Sequence, residues 1–253
     1  MFVKVFITVL LFITPLFIYS QNSTIKLLTD DNFPPYSYVV DDKIVGYDID
    51  VIREIESRLG LTISVEAVPW NRLLKYIESG QVDGGFSLFK NSERESWAKF
   101  TSIPIHRSRF TIFTRKDNQF VFNNLDDLIG KNIGLDRGFL ISDEFDELKS
   151  NKTISVIESE DASINFKLLE NKRIDCYIGN YFTSLYVLNM LDKLDEFSII
   201  KRDLVPSRSA YLVFSKKSKI GNIDALIARI TKTLEELEID GTLERISKKY
   251  ISN

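Results

Sequence analysis

The sequence predicts an α/β protein with two similarly built lobes. Short apolar runs with the composition of strands alternate with amphipathic helical stretches, which favours a largely parallel sheet. A helix–turn–strand unit also occurs twice, because ESGQVD (78–83) and ENKRID (170–175) each follow a helical stretch and lead into an apolar run. Such an internal repeat indicates two copies of one architecture.

The N-terminal half contains the clearest elements. TIKLLT (24–29) and TISVEAV (62–68) have the composition of strands. Between them, isoleucines recur at helical spacing behind Asp48, which we predict as the helix N-cap, and Gly60 follows as the stop. NRLLKYIESG (71–80) predicts a second helix that ends at its glycine.

Two similar segments predict where the chain passes between the lobes. FTIFTRKDN (110–118) and SAYLVFSKKS (209–218) are both apolar strands that break into basic and polar residues. If the first leaves lobe one and the second returns to it, lobe one comprises residues 21–113 and 207–253, and lobe two comprises residues 114–206. Two lobes joined by two strands create a cleft and a hinge. The C-terminal stretch is expected to form helices against lobe one.

Residues 1–20 predict a secretory signal peptide. Lys4 precedes a short apolar run that contains Pro15, and a small residue stands at a polar boundary. A retained membrane anchor is the less favoured alternative, because the run is short for a membrane span. We therefore expect an exported, periplasmic chain that begins near Gln21.

Composition argues against several classes of protein. Without Lys4 the chain has 32 basic and 36 acidic residues, a net charge of −4 with no basic block, so nucleic acid is not an expected partner. Cys176 is the single cysteine, which excludes an internal disulfide. His106, the single histidine, has no cysteine or acid at metal-ligand spacing, and Gly84-Gly85 lacks the lysine of a phosphate loop. We expect a monomer without metal or cofactor.

An ordered series of stretches resembles the family 3 extracellular solute-binding proteins, the periplasmic receptors of polar amino-acid ABC importers. The stretches are TDDNFPPYSY, VGYDIDVIREIESRLG, VPWNRLL, ESGQVDGGFSLFKNSERE, FTSIP, IGKNIGLDRG, NKRIDCYIGN and DGTLERISKKY, and together they cover nearly the whole chain after residue 20. The resemblance implies the two-lobed type II periplasmic-binding-protein fold, with a ligand cleft between lobes joined by two hinge strands.

The resemblance implies that two aromatic residues lie against the ligand. Phe33 matches the aromatic of the family's proline-containing turn, and the prolines would stiffen that turn so that the ring is presented with little entropy left to lose. Tyr36 is expected to pack beneath it. Trp70, in VPW, matches the opposing wall, although from the sequence alone a place in the core is the better interpretation of this residue. Two rings around a solute would contribute about 0.5–1.5 kcal/mol each.

Arg94 matches the arginine that binds a ligand carboxylate in this family. A guanidinium suits that role because its forked donors meet two carboxylate oxygens at once. The alternative is a solvated arginine paired with Glu93 or Glu95. The segment from Asp83 to Arg94 is one residue shorter than in the amino-acid receptors, and Ser87, with the backbone of residues 89–90, would supply further donors.

Lobe two departs from the family pattern at two positions. The family often has a threonine after the second glycine of G-x-x-x-G, whereas here Gly138 is followed by phenylalanine, which leaves Gly138 and the following amides to bind the anion. The aspartate that usually neutralises the ligand ammonium is matched by Asn180, which cannot neutralise a charge. Asn180 would otherwise be a cap for the following helix.

The substitution at Asn180 bears on the ligand, because burying an ammonium without a carboxylate costs several kcal/mol. Either the solute lacks an α-ammonium, or another acid compensates: Asp30, Asp136 or Asp161. From the sequence, a ligand without the α-ammonium is the slightly favoured hypothesis.

The resemblance implies a binding module without catalysis. A small polar, carboxylate-bearing solute, such as an amino acid or a related organic acid, would close the lobes, and the closed form would dock on the membrane permease of an ABC transporter. Two alternatives stay open. A dehydratase on this fold would need a general acid in the cleft, where the matched positions offer Asn180 and Phe139. A soluble receptor would present its closed form to a membrane sensor instead.

Overall fold

The computed structural model describes residues 24–250, so the predicted signal peptide lies outside the described residues. Within this range, no helix has the length and apolar character needed to cross a membrane. The described residues form two lobes, each built on its own β-sheet with flanking helices. The predicted two-lobed α/β fold is therefore confirmed.

Strands and helices are numbered in chain order. The strands are β1 (Ile25–Asp30), β2 (Asn32–Phe33), β3 (Ser37–Val40), β4 (Lys43–Val45), β5 (Ile63–Val68), β6 (Gly84–Phe89), β7 (Ala98–Phe100), β8 (His106–Ser108), β9 (Phe110–Arg115), β10 (Asn132–Asp136), β11 (Ser155–Ser159), β12 (Cys176–Asn180), β13 (Phe197–Ile199) and β14 (Arg208–Ser215). The helices are α1 (Tyr47–Leu59), α2 (Trp70–Ser79), α3 (Ser92–Trp97), α4 (Asp143–Ser150), α5 (Ala162–Glu170), α6 (Tyr181–Met190), α7 (Ile223–Ile239) and α8 (Thr242–Tyr250). The helix ends at Gly60 and Gly80 are confirmed, and both glycines adopt left-handed φ angles, 60° and 77°.

Each lobe has a sheet whose first three strands are parallel. The sheet of lobe one has the order β5-β1-β6-β14-β7, with β8 also paired to β14, and the sheet of lobe two has the order β11-β10-β12-β9-β13. Pairings among β5, β1 and β6, and among β11, β10 and β12, are parallel, whereas the remaining pairings in these two sheets are antiparallel. A small antiparallel sheet, β2-β3-β4, completes the topology.

The repeated helix–turn–strand unit has the same structural role in both lobes. The Asp83 carboxylate accepts a hydrogen bond from the Lys26 amide of β1 at 2.9 Å, and the Asp175 carboxylate accepts one from the Asn132 amide of β10 at 2.8 Å. Each aspartate precedes the strand that pairs with the neighbouring parallel strand. The two aspartates therefore fix equivalent strand starts, as the repeat predicts.

One expectation about the lobes needs correction. Strand β9 pairs with β12 and β13, so residues 110–113 lie in the sheet of lobe two rather than in lobe one. The preceding strand β8 pairs with β14 of lobe one. We therefore move the proposed first crossing from 113/114 to Arg109, while the remaining boundary residues stay predictions.

Two local expectations also differ from the structure. Gly46, not Asp48, is the N-cap of α1, because the Asp48 side chain turns inward to other partners and its residue already lies in the first helical turn. The segment 176–182 is a strand only as far as Asn180, where α6 begins. The expected C-terminal helices are confirmed: α7 and α8 pack against α1 of lobe one.

The two crossings between the lobes contact each other. The Arg109 guanidinium in the first crossing donates to the Asp203 carboxylate in the second, and the Leu204 amide donates to the Phe110 carbonyl at 3.2 Å. The guanidinium also lies 4.3 Å from the centre of the Tyr181 ring at the start of α6. These contacts hold the crossings side by side behind the cleft.

Candidate functional site

The cleft between the lobes lies at the carboxyl ends of the central parallel strands, where open α/β sheets commonly bind ligands. Asp30 ends β1 in lobe one, and Asp136 ends β10 in lobe two. The cleft has a volume of about 340 Å³, and its lining residues are Asp30, Asp31, Asn32, Phe33, Pro69, Trp70, Asn71, Asp136, Arg137, Phe139, Glu160, Asp161, Ala162 and Thr183. Both lobes therefore contribute to one concave surface.

Phe33 lies in the cleft wall on a buried aromatic support. Its ring stacks on Tyr36 with centroids 4.9 Å apart, and Tyr36 in turn stacks on His106 at 3.9 Å. Tyr36 thus packs beneath Phe33 as predicted. Because the supporting rings are buried, Phe33 has little freedom to turn away from the cleft.

Trp70 begins α2 and also lines the cleft. Gly138 of lobe two approaches it closely: a Cβ atom at Gly138 would stand 3.1 Å from Cδ1 of the indole, and Gly138 has a φ of +75°. The structure therefore brings Phe33, Trp70 and Gly138 together. The Phe139 amide donates to the Asp136 carbonyl at 3.1 Å, so this amide of the predicted anion-binding turn is already engaged.

Arg94 is buried beside Trp70 and is not a solvated surface arginine. Its guanidinium lies 5.4 Å from the indole centre and donates to the Phe89 carbonyl at 2.9 Å. Burial, followed by the charge of the nearby Arg208, lowers the pKa of Arg94 to about 10. Because the buried Arg94 guanidinium lies near a second positive charge, an anion bound beside it would stabilise its charged form.

A small cavity adjoins the cleft and contains the predicted residues Asp30, Phe33, Trp70, Ser87, Arg94 and Gly138 in its lining. Ser87 is 4% exposed and has a φ of +69° within β6. Six of the seven predicted ligand-binding residues are therefore brought together around one connected space.

Asn180 is the predicted residue that the structure does not bring into the cleft. Its side chain is fully buried, and its Oδ1 atom accepts hydrogen bonds from the amides of Phe182 and Thr183, both at 3.1 Å. The side chain therefore caps α6, which was the alternative interpretation, and a contact between Asn180 and the ligand stays a prediction.

The cleft is strongly acidic. Its lining includes five acidic side chains and one arginine: Asp30, Asp31, Asp136, Glu160 and Asp161, with Arg137. Burial raises the pKa of both Asp30 and Asp136 to about 7, with a further rise from the charge of Asp31 at Asp30 and from the charges of Asp161 and Asp30 at Asp136. A cation in the cleft would offset both effects.

Asp136 is held by partners in lobe two, whereas Asp161 also accepts a hydrogen bond at 3.4 Å from the Asn32 side-chain amide of lobe one. Asp136 accepts hydrogen bonds from Asn165 at 2.8 Å and from the Tyr177 hydroxyl at 2.9 Å. Asp161 caps α5, accepting from the Ile164 amide at 3.0 Å. Arg137, Asn71 and Thr183 were missed by the sequence analysis, because nothing in their local patterns marks them.

Phe139 joins the lobes at the centre of the site. Its ring meets Phe33 of lobe one edge-on, with centroids 5.8 Å apart, and meets Phe110 at 6.2 Å. It lines both the cleft and the small cavity. The Phe139 ring therefore contacts Phe33 and Phe110 and lines both spaces of the site.

Replacing Phe139 with alanine is expected to loosen the contact between the lobes. The free energy of unfolding should fall by about 1–3 kcal/mol, less than for a fully buried ring. The radius of gyration of the ligand-free protein should rise, because an aromatic contact across the cleft is lost. Small-angle X-ray scattering and urea unfolding measure the two effects. Ile157→Ala, on the exposed side of β11, is the control, and an unchanged radius in Phe139→Ala would contradict this role.

Two lobes that enclose an acidic, aromatic cleft behind a double crossing define a bilobed ligand-binding protein. The chain belongs to the bacterial extracellular solute-binding proteins, family 3, whose family model matches residues 25–253.

Curated relatives support this assignment. The chain is 27% identical over 225 residues to the L-cystine-binding protein TcyA of Bacillus subtilis, covering 88% of this chain and 79% of TcyA. It is 25% identical over 236 residues to the arginine-binding extracellular protein ArtP of Bacillus subtilis, covering 92% of this chain and 89% of ArtP.

Solved structures share the fold. A histidine kinase sensor domain with similarity to periplasmic binding proteins superposes with a TM-score of 0.79 at 21% identity, covering 91% of this chain and 97% of that domain. An ancestral arginine-binding protein bound to arginine superposes with a TM-score of 0.76 at 23% identity, covering 90% and 98%. The ancestral amino acid-binding protein AncCDT-1, a precursor of cyclohexadienyl dehydratase, gives a TM-score of 0.72 at 17% identity, covering 90% of this chain and 96% of AncCDT-1.

Proposed function

We propose that this protein binds a small solute carrying at least one cationic group and delivers it to the membrane permease of an ABC transporter. The observation that carries the proposal is the acidic cleft, in which Asp30 and Asp136 approach each other from opposite lobes. Two buried carboxyls that repel each other destabilise the closed lobes when both are ionised. A cation between them removes the repulsion, so it binds the closed form better than the open form, as ligand-driven closure requires.

Arg94 supports a carboxylate on the same ligand. Its buried guanidinium faces the small cavity together with Asp30, so donor and acceptor groups lie at one connected site. A solute with both an ammonium and a carboxylate would match this pair of charges. The relatives named as cystine-binding and arginine-binding proteins act on amino acids, which is consistent with this class.

The acidic lining favours one of the two alternatives that the sequence left open. Asp30, Asp136 and Asp161 all line the cleft, whereas Asn180 caps a helix. A ligand cation would therefore have carboxylate partners in the cleft, although position 180 is an asparagine. We replace the hypothesis of an amine-free ligand with that of a cationic one.

A matched ligand series tests the proposal on the protein without residues 1–20. L-Lysine, cadaverine, ε-aminocaproate and caproate share one carbon chain and differ in the amine and carboxylate groups they retain; L-arginine and agmatine repeat the comparison with a guanidinium. Ligand at 100 times its dissociation constant should stabilise the fold by about 2.7 kcal/mol, a shift of a few degrees in the melting temperature. We expect the ligands with a cationic group to raise the melting temperature and caproate to have no effect.

The outcomes separate the alternatives. Stabilisation by caproate alone would contradict the proposal and restore the amine-free ligand. Turnover of prephenate by the purified protein would support the enzyme alternative. For delivery, deletion of the gene should reduce uptake of the radiolabelled ligand, and unchanged uptake would favour a membrane sensor as the partner.

A further inference from the structure

Ser87 lies at an irregularity of β6 that turns its side chain toward the small cavity. The pairing of β14 with β6 shifts register between Tyr211 and Val213, opposite this part of β6, and Ser87 has a φ of +69°. Bulges of this kind re-aim side chains and are frequent beside functional sites. The Ser87 hydroxyl therefore faces a space that it shares with Asp30, Phe33 and Arg94.

The proton of this hydroxyl is committed to a buried carboxylate. Ser87 Oγ donates to Oδ2 of Asp48, whose side chain is fully buried. Asp48 lies in the first turn of α1, where the helix N-terminus favours a negative charge. Ser87 is the donor in this contact, so its proton points at Asp48 and not into the cavity.

His106 holds the other oxygen of the same carboxylate. Its Nδ1 atom lies 2.8 Å from Asp48 Oδ1, and its Nε2 atom lies 3.0 Å from the Ser108 hydroxyl. The ring is clamped by Tyr36, which stacks on it at a centroid distance of 3.9 Å. In the tautomer with a proton on Nδ1, His106 and Ser87 hold the carboxylate between two donors.

We propose that Asp48 and His106 are positioning residues that make Ser87 a hydrogen-bond acceptor toward the ligand. With its proton directed at Asp48, the hydroxyl presents only lone pairs to the small cavity, where it would accept an N–H of a cationic group. This inference rests on the proposed binding of a cationic solute and differs from the expectation that Ser87 donates to a carboxylate. Arg94 then supplies the donors of the cavity, and Ser87 with Asp30 supplies the acceptors.

The role of His106 as a donor to Asp48 is tested without any ligand by nitrogen-15 NMR of histidine-labelled protein. His106 is the only histidine in the sequence, so its imidazole signals need no assignment. We expect a proton on Nδ1 at neutral pH. A spectrum in which Nδ1 carries no proton would make Asp48 Oδ1 the donor to His106 and would overturn the arrangement in which two donors hold the carboxylate.

Calorimetry with cadaverine and caproate tests the effect on specificity. In Asp48→Asn, the amide would donate to Ser87 Oγ and free the hydroxyl proton to point into the cavity. We expect cadaverine to bind roughly 10-fold more weakly and caproate to bind more tightly than in the unaltered protein. Ser87→Ala should weaken cadaverine binding without a gain for caproate. Asp50→Asn, which removes an acid in the same helical turn that contacts Lys249 instead, is the matched control and should bind as the unaltered protein does.

If Asp48→Asn weakens the binding of cadaverine and caproate equally, Asp48 has only a structural role. That result would overturn its positioning role and would leave the proposed function intact. If the unaltered protein binds none of the cationic probes, the proposed function fails, and with it the role of Ser87 toward a cation. The NMR measurement still decides in that case whether His106 donates to Asp48.

Discussion

Asp136→Asn is expected to weaken the binding of cationic ligands by at least about 30-fold. Removing the carboxylate leaves the ligand cation without its lobe-two partner in a buried site, a loss of roughly 2 kcal/mol or more. The shape of the site is preserved, because the side-chain oxygen of an asparagine can still accept a hydrogen bond from Asn165, and its amide group can donate to the Tyr177 hydroxyl. Calorimetry with L-lysine and cadaverine measures the effect.

The same variant should be more stable than the unaltered protein in alkaline solution. Burial raises the pKa of Asp136 from 3.8 to about 7, so the folded protein holds a proton that the unfolded chain has already released between these values. The free energy of unfolding therefore falls as the pH rises through this window, by up to about 4 kcal/mol from this group. The variant has no titrating group at this position, so its free energy of unfolding should not fall for this reason. We expect the two proteins to have similar melting temperatures near pH 4 and the variant to melt higher near pH 8.

Cation binding should show the opposite dependence on pH. Asp30 and Asp136 are largely protonated below pH 7, and a bound cation favours their ionised forms, so binding releases protons there and strengthens as the pH rises. Glu160→Gln is the matched control, because it removes an exposed acid of the same cleft and should change affinity little. Equal affinities in Asp136→Asn and Glu160→Gln would contradict the proposed role of the buried pair.

Arg94→Ala is expected to remove the recognition of a ligand carboxylate. L-Lysine should bind roughly 30-fold more weakly or worse, because its carboxylate would be buried without a partner, whereas cadaverine has no carboxylate and should be little affected. The ratio of the two affinities, measured by calorimetry, isolates this contact from general damage to the site.

Arg94→Lys is the matched variant for the same position. It keeps the positive charge but loses the planar guanidinium group, which lies over Trp70 and donates to the Phe89 carbonyl. We expect an intermediate loss for L-lysine. A parallel loss of cadaverine and L-lysine in Arg94→Ala would indicate that Arg94 supports the fold of the site and does not contact the carboxylate.

The sequence by itself determined the elements and their repetition. The helix ends at Gly60 and Gly80 follow from left-handed glycines, and the equivalent roles of Asp83 and Asp175 follow from a local motif that occurs twice. These features depend on residues near one another in the chain, so composition and spacing carry the information. The stacking of Phe33 on Tyr36 was expected from the family resemblance, and both residues lie in one short turn.

Contacts between distant parts of the chain determine which groups line the cleft and which hydrogen bonds those groups make. Asn180 is buried as a cap, Asp48 turns inward to Ser87 and His106, and β9 joins the sheet of lobe two. Each outcome depends on partners that are distant in the chain. The raised pKa values of Asp30 and Asp136 have the same origin, because desolvation and repulsion arise when the two lobes bring the carboxyls together. Local pattern therefore predicts where a side chain stands along the chain, whereas its charge, its hydrogen-bond direction and its exposure are set by the packing of the two lobes.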